Sequence, residues 1–320
     1  MDNALLDWSK AGECFADPDK AREYLERLRW GKSGPVCPHC GGSEPYALKP
    51  KATSQKPGRK GLYKCKACRK QFTVTVGTVF EDSHIPLNKW LQAIYLITAS
   101  KKGISSHQLH RMLGVTYKSA WFMSHRLRYA MTQDFFASKL SGTVEVDEAY
   151  IGGKRKGGVG RFPADGGRKA AVAVLVERGG KARAFPMEMI NAHTMDSQIL
   201  RHVEANKSRL MTDEATHYGM RTRIGGIPRE AVEHRRGEFV RGDANTNTAE
   251  GFFSLLKRGI VGTFHHVGKG HLAKYVSEFE FRYNNRTALG VNDAQRAAAL
   301  VLGAEGKRLT YKQPEGDSQN

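Results

Sequence analysis

Two Cys-x-x-Cys pairs constrain the N-terminal part of this 320-residue chain more than any other feature. Cys37 and Cys40 lie in VCPHCGG, Cys65 and Cys68 in YKCKACRKQFTV, and 24 residues separate Cys40 from Cys65. Each pair sets two thiols on one tight turn, and together they can supply the tetrahedral sulfur shell that a structural zinc ion takes. The alternatives are four unrelated reduced cysteines or a redox pair. Turn-forming glycines after one pair and basic residues around the other disfavour the first; a polar setting without a βαβ pattern disfavours the second. Cys14 stands alone, so metal binding in a reducing compartment is expected instead of a disulfide framework. Residues 36–80 are read as a zinc ribbon, and the basic stretch KPKATSQKPGRKG between the pairs as an exposed tongue that could touch a DNA backbone.

Charge extends that reading. With 51 Lys and Arg against 32 Asp and Glu, the net charge is +19 and the pI about 9.8, which points to a polyanionic partner. Nucleic acid is the first candidate, because phosphates release counterions to dispersed Lys and Arg. An anionic membrane competes, but there is no run of about 18 apolar residues and no signal-like N-terminal segment. A soluble protein is expected, cytoplasmic and associated with the nucleoid.

Residues 1–35 form a helical lead-in, with a helix from Asp17 or Pro18 to Trp30 whose apolar side holds Tyr24, Leu25 and Leu28. Beyond the ribbon, residues 85–133 suggest a helix-turn-helix. Ser105 or Ser106 can cap a helix through Leu113, Gly114 breaks it, and Thr116 can cap the next, to about Met131. That second helix carries Lys118, Ser119, His125, Arg126 and Arg128 beside core-like Ala120, Trp121 and Leu127, and Lys118, Arg126 and Arg128 are expected to face DNA. An ordinary helical hairpin with a solvated basic face is the alternative.

From Ser141 the texture changes to strands. TVEVDEAYIGG alternates, with Val144 and Val146 on one face, Glu145 and Asp147 on the other, and Glu148 pointing away from Asp147. AAVAVLVERGGKARAFPMEMI gives two strands around Gly179–Gly180. A helix from about Thr194 to Asn206 precedes the strand RLMTDEA, which presents Asp213; GEFVRG is a weaker strand, and HLAKYVSEFEFRYNNR a helix from Leu272 to about Arg286. A meander, a helix and a strand returning beside the first describe an α/β mixed sheet of ribonuclease H-like type over 141–302, with a loose polar tail at 303–320. Between the first two strands, a glycine-rich loop bearing Lys154, Arg155, Lys156, Arg161, Arg168 and Lys169 is placed to track a phosphate backbone.

The helix NTAEGFFSLLKR (Asn247 to Arg258) ties these pieces together. At about 3.6 residues per turn, Glu250 and Lys257 share one face, while Phe253, Leu256 and Ile260 make an apolar stripe. Asp147, Asp213 and Glu250 would repel one another severely on one sheet face unless they hold cations, and hard oxygen ligands suit Mg²⁺ or Mn²⁺. Two such ions, about 3.5–4 Å apart, can drive in-line phosphoryl displacement.

The strings VDEAYIGGK, MTDE, NTNTAEGFFSLLKRGIVGTFHH and EFEFRYNNR, with the cysteine pairs ahead of them, resemble the DDE transposases of bacterial insertion sequences that carry an N-terminal zinc ribbon. The resemblance implies a metal-binding triad of Asp147, Asp213 and Glu250, the last two 37 positions apart, with Lys257 touching DNA near the reacting phosphate and Arg258 beside it. It implies binding to double-stranded terminal repeats, cleavage without a covalent protein–DNA intermediate, attack of the freed 3′-hydroxyl on target DNA, and a homo-oligomer on the DNA. Relatives commonly show histidine where this chain has Asn245, whereas His234 matches. Some use an asparagine as third ligand, which makes Asn247 an alternative to Glu250; the carboxylate is favoured because an amide cannot neutralise Mg²⁺. Two other functions fit parts of the pattern: a zinc-ribbon regulator with an inactive ribonuclease H-like domain, and a nuclease without strand transfer.

Overall fold

The computed structural model describes residues 8–48, 60–132, 138–152 and 169–310. They fall into two compact units, Met1–Met131 with Asn292–Asn320, and Thr132–Val291.

The first unit opens with α1 (Trp8–Ala16) and α2 (Pro18–Trp30). Asp17 accepts the Asp19 N–H and Pro18 occupies the first turn of α2, where its missing donor costs nothing. A three-stranded antiparallel sheet follows, β1 (Pro45–Ala47), β2 (Tyr63–Cys65) and β3 (Gln71–Phe72), in the order β1-β2-β3. Under it, Tyr63 stacks on Phe72 with centroids 5.8 Å apart, and Trp30 meets both rings edge-on.

Three helices come next: α3 (Leu87–Ala99), α4 (Ser106–Leu113) and α5 (Tyr117–Ala130). The predicted caps form. Ser105 accepts the Gln108 N–H at 3.1 Å, Gly114 takes the left-handed conformation (φ 59°), and Thr116 accepts the Ser119 N–H at 3.1 Å.

Arg126 and Arg128 do not face DNA, which corrects the sequence expectation. Arg126 is 6% exposed, and its guanidinium donates to the carbonyls of Val79 (2.9 Å), Glu81 (2.8 Å) and Leu309 (3.0 Å). Arg128 is 1% exposed and donates to Ser124 Oγ. The C-terminal half of α5 is buried nearly all round, so these charges serve the core; Lys118, near its N-terminus, is exposed.

The chain returns to this unit at its end. Residues 293–302, counted from sequence in the ribonuclease H-like domain, form the helix Asp293–Leu302, which packs on α2, α3 and α5, with Ala297 and Leu300 buried and Arg296 donating to the Thr98 carbonyl. Residues 303–310 are packed too, against the expectation of a loose tail: Ala304 is buried and accepts the Val79 N–H at 3.2 Å.

The second unit is a six-stranded mixed sheet: β4 (Leu140–Ile151), β5 (Ala170–Glu177), β6 (Ala182–Met187), β7 (Val203–Asp213), β8 (Arg223–Ile224) and β9 (Ile227–Val232), ordered β6-β5-β4-β7-β9-β8. The meander β4-β5-β6 is antiparallel, and β7 returns parallel to β4 after helix α6 (Ala192–His202), as a ribonuclease H-like fold requires. α6 stops at His202, earlier than predicted, because Val203 is already extended (φ −114°, ψ 138°) and begins β7. The strand beside β7 is β9, in place of GEFVRG, which forms a turn and loop.

α6 covers one face of the sheet, where Met195 and Ile199 meet Val144, Val146 and Leu175. On the other face lie α7 (Asn247–Gly259) and α8 (Leu272–Asn284), whose Phe252, Phe253, Leu256, Val276 and Phe279 pack on Val172, Val174 and Val176. A π-helical turn, Ile260–Phe264, ends α7, and Ile260 completes its buried stripe. The helix closing the chain, Asp293–Leu302, is α9.

Candidate active site and metal centre

In the ribbon the two knuckles have one geometry. The first cysteine of each, Cys37 and Cys65, donates its N–H to a carbonyl five residues on, Gly42 and Lys70, and accepts from the N–H four residues on, Gly41 and Arg69. That fourth residue is left-handed in both, φ 73° at Gly41 and 62° at Arg69. Glycine enters this region without steric cost, whereas Arg69 is held there by the knuckle.

The turns bring four sulfurs together: Sγ of Cys37 lies 3.7 Å from Cys68, Sγ of Cys40 3.6 Å from Cys65, and all four fall within 4.8 Å of one another. Sulfurs about 2.3 Å from a tetrahedral zinc lie about 3.8 Å apart, so this donor set fits Zn²⁺ without rearrangement. Backbone N–H donation from Cys68 draws the Cys65 thiol down to about 7, against its burial. At Cys40 the lowering effect of the Gly42 N–H is outweighed by the hydrogen bonds of the neighbouring thiols, which push it up to about 11, so of these two Cys65 is the readier to meet a metal as thiolate.

The candidate carboxylates occupy the second unit. β4 and β7 run parallel with Glu145 opposite Met211, so Asp147 and Asp213, each two residues further on, fall on the same face of neighbouring strands, Asp213 as the last residue of β7 and Asp147 within β4, which continues to Ile151 beside β5. The carboxyl end of a parallel strand such as β7 is where α/β folds place their sites. Asp147 accepts the N–H of Glu148 at 2.8 Å, yet burial raises its carboxyl to about 7, with the charges of Glu148, Asp213 and Glu250 adding to the effect. Asp213 is raised as well, chiefly by burial, against the N–H of Ala215 at 2.9 Å. Glu250 is exposed in the first turn of α7. Among the described residues, the cysteines are the one group of three or more metal-type donors within 4.8 Å; the carboxylates stand further apart. Their hard oxygens and the unfavourable charge on Asp147 suit a divalent cation of the Mg²⁺ type.

α7 is aimed by a residue whose role sequence reasoning missed. Thr246 makes no side-chain cap; instead the fully buried Glu145 reaches across from β4. Its Oε2 accepts the N–H of Thr248 at 2.7 Å and of Ala249 at 3.0 Å, and its Oε1 accepts Thr248 Oγ1 at 2.9 Å and Arg178 Nε at 2.6 Å. A carboxylate so placed caps the positive end of the helix. Arg178 extends the tie to Asp243 (2.7 Å) and the Asn245 carbonyl (3.0 Å), fixing the approach to α7. A buried acid two residues before Asp147 on the same face was the available signal.

The other predicted residues are scattered around this frame. Asn247, first in α7, is exposed and donates its N–H to Asn245 Oδ1 at 3.3 Å. Lys257 is exposed with Nζ 5.9 Å from the Phe253 centroid, and Arg258 is exposed beside it. Lys154, Arg155, Lys156, Arg161 and Arg168 lie outside the described residues. Glu148 turns to the opposite face from Asp147, as alternation predicts, and meets His217 Nε2 and Tyr218 OH, each at 3.3 Å. It lines a cavity of about 790 Å³ together with Lys169, Asp213, His217 and Arg235.

A four-cysteine knuckle pair ahead of a ribonuclease H-like sheet with acids on neighbouring strands sets the class of fold and site, and comparison with known families identifies the family. Residues 139–284 match the ISXO2-like transposase domain and residues 16–71 the transposase zinc-ribbon domain. The chain belongs to the insertion-sequence transposases that join these two domains. It is 29% identical over 284 residues, 84% of this chain and 91% of the relative, to an uncharacterized protein in transposable element ISH50 of Halobacterium salinarum, an archaeon, so the likeness reaches beyond bacteria. Two solved structures, a pre-cleavage Mos1 transpososome and the Mos1 Strand Transfer Complex, align over 67% and 69% of this chain and 74% and 78% of theirs. Both are 13% identical, with TM-scores of 0.28 and 0.27, too low to bear on the fold.

Proposed function

We infer that this transposase binds the ends of its element, cuts DNA phosphodiester bonds there with two divalent cations, and joins the freed 3′-hydroxyls to target DNA. The observation that carries this reading is that Asp147, within β4, and Asp213, at the end of parallel β7, share one face of neighbouring strands, with Glu145 fixing the helix that presents Glu250.

Asp147, Asp213 and Glu250 would hold the cations, which supply nucleophile activation and stabilisation of the leaving oxygen. The protein supplies the rest. The neighbouring strands β4 and β7 fix two carboxylates, α7 brings the third from outside the sheet, and the raised Asp147 carboxyl marks where cation charge is needed. Lys257 and Arg258, in the last turn of α7, offer cationic contacts to the DNA backbone, and Lys118 on α5 a further contact in the N-terminal unit. Asn247 stands three residues before Glu250 and is the alternative third ligand. The four cysteines hold the ribbon as a rigid reading module, and joining two element ends calls for two or more copies on the DNA.

Incubation of the purified chain and Mg²⁺ with end-labelled terminal DNA tests this function. Products in which an element end is covalently joined to target DNA support it; binding with no cleavage would make the protein a regulator, and cleavage without joining a nuclease.

A further inference from the structure

Between β9 and α7 the loop Glu233–Ala244 is tied down at every turn yet turns two apolar residues outward. Phe239 is 61% exposed and Val240 54%. Isolated exposed apolar residues are ordinary, but a consecutive pair held on a rigid loop is a surface built to meet something.

The rigidity is explicit. Glu238 accepts the Glu233 N–H through its side chain at 3.2 Å, and its own N–H donates to the Glu233 carbonyl at 3.2 Å. Arg241 donates to the Ala231 carbonyl at 2.6 Å, and exchanges backbone bonds with Ala244 at 3.0 and 2.9 Å around the left-handed Gly242. Both ends of the loop are fastened to the candidate site. On one side the N–H groups of His234 and Arg235 donate to Glu214, the residue after Asp213, at 2.8 and 3.2 Å, and the Phe239 ring lies 5.2 Å from the His234 ring. On the other, Asp243 is held by Arg178, the partner of Glu145, and by Arg209.

The surroundings indicate the partner. The acids of the loop are engaged within the fold: Glu233 by Arg236, Glu238 by the Glu233 N–H, Asp243 by two arginines. The side chains of Arg235, Arg236 and Arg241 face Glu214, Glu233 and Glu238 at 3.6, 2.9 and 3.8 Å, yet stay 60%, 81% and 55% exposed, open to a phosphate on their outer side. An apolar tip rimmed by guanidinium groups matches the apolar faces of stacked bases between two phosphate backbones.

We propose that Phe239 and Val240 form a wedge that enters the base stack of duplex DNA beside the bond being cut, parting one base step so that the strand can reach the carboxylates. The wedge rests on the reading that DNA is cut at this site. It acts on the DNA and takes no part in the chemistry.

The test reads base stacking without requiring cleavage. Duplexes from the element ends, with 2-aminopurine stepped through the positions flanking the cut bond, are bound by the full chain in the absence of divalent cation. A several-fold rise in fluorescence is expected at one position, lost with Phe239→Ala and kept with Phe239→Leu. In Mg²⁺, Phe239→Ala is expected to cut paired ends at least tenfold more slowly and to recover to within a few-fold of wild type when a mismatch is built in at that position. The same rise with Phe239→Ala, or no rise at any position, would overturn the wedge, as would loss of self-association by Phe239→Ala with stacking unaltered, which would make the pair a contact between copies. A Phe239-dependent rise in a protein that never cuts DNA would uphold the wedge and overturn the proposed function.

Discussion

The buried carboxylate of Glu145 accepts the backbone N–H of Ala249 at 3.0 Å, so the strand that carries Asp147 also sets the direction of the helix that carries Glu250. Glu145 is a positioning residue. Glu145→Ala removes four hydrogen bonds and leaves the Arg178 guanidinium without its buried partner, a loss of about 3 kcal/mol on the scale of broken charged networks. Hydrogen exchange over 247–259 is expected to accelerate while exchange in the sheet strands changes little, and cleavage is expected to fall in kcat with KM nearly unchanged. Glu145→Gln, which keeps the acceptor oxygen, should recover part of both.

Stability should depend on pH through Asp147. Its carboxyl titrates at about 7 in the folded chain, against about 3.9 in an unfolded one. Between those values the folded chain keeps a proton that the unfolded chain has released, so stability falls as pH rises from about 4 to about 7 and then levels off. Asp147→Asn should remove the Asp147 share of that slope, leaving the share of Glu280, whose carboxyl burial also raises to about 7. Mg²⁺ should raise Tm more at pH 8 than at pH 5 in the wild-type chain, and by much less at either pH in Asp147→Asn; thermal melts at the two pH values check both effects.

For the ribbon, Cys65→Ser is expected to release zinc, read by elemental analysis, and to expose the Trp30–Tyr63–Phe72 cluster. All four tryptophans, Trp8, Trp30, Trp90 and Trp121, belong to the first unit, so tryptophan fluorescence follows this change with no contribution from the sheet domain.

The two basic residues on α5 should separate cleanly. Arg126→Ala strips three backbone carbonyls of a buried donor and is expected to destabilise the first unit by about 3 kcal/mol or more. Lys118→Ala should leave stability within about 0.5 kcal/mol of wild type. It should also reduce the salt dependence of DNA binding by about one counterion, measured as the slope of log Kd against log salt.

That contrast shows what was legible beforehand. The caps at Ser105 and Thr116 and the break at Gly114 rest on bonds within three or four residues, and they could be read directly. The alternation around Asp147 and the cysteine spacing are equally local. Arg126 looked like a surface cation because its acceptors lie 45 to 183 residues away. The destination of α9 and the packing of 303–310 depend on the chain crossing back to its first unit, which no window reveals. β9 was hidden by Pro228, which weakens a strand pattern, and GEFVRG imitated a strand through Phe239 and Val240, the residues the loop holds out to solvent. Glu145 was placed on the correct face, but an acid at such a position can serve a metal or a helix end, and tertiary contact decides between them.

The central claim is that Asp147, Asp213 and Glu250 form one metal site that cuts DNA. Its most direct measurement compares the wild-type chain with Asp147→Asn, Asp213→Asn and Glu250→Gln on end-labelled terminal DNA in Mg²⁺, with binding followed in parallel. Each variant is expected to bind terminal DNA within a few-fold of wild type while cleavage falls by at least a thousandfold. Cleavage near the wild-type rate by any one of the three would contradict the site as drawn.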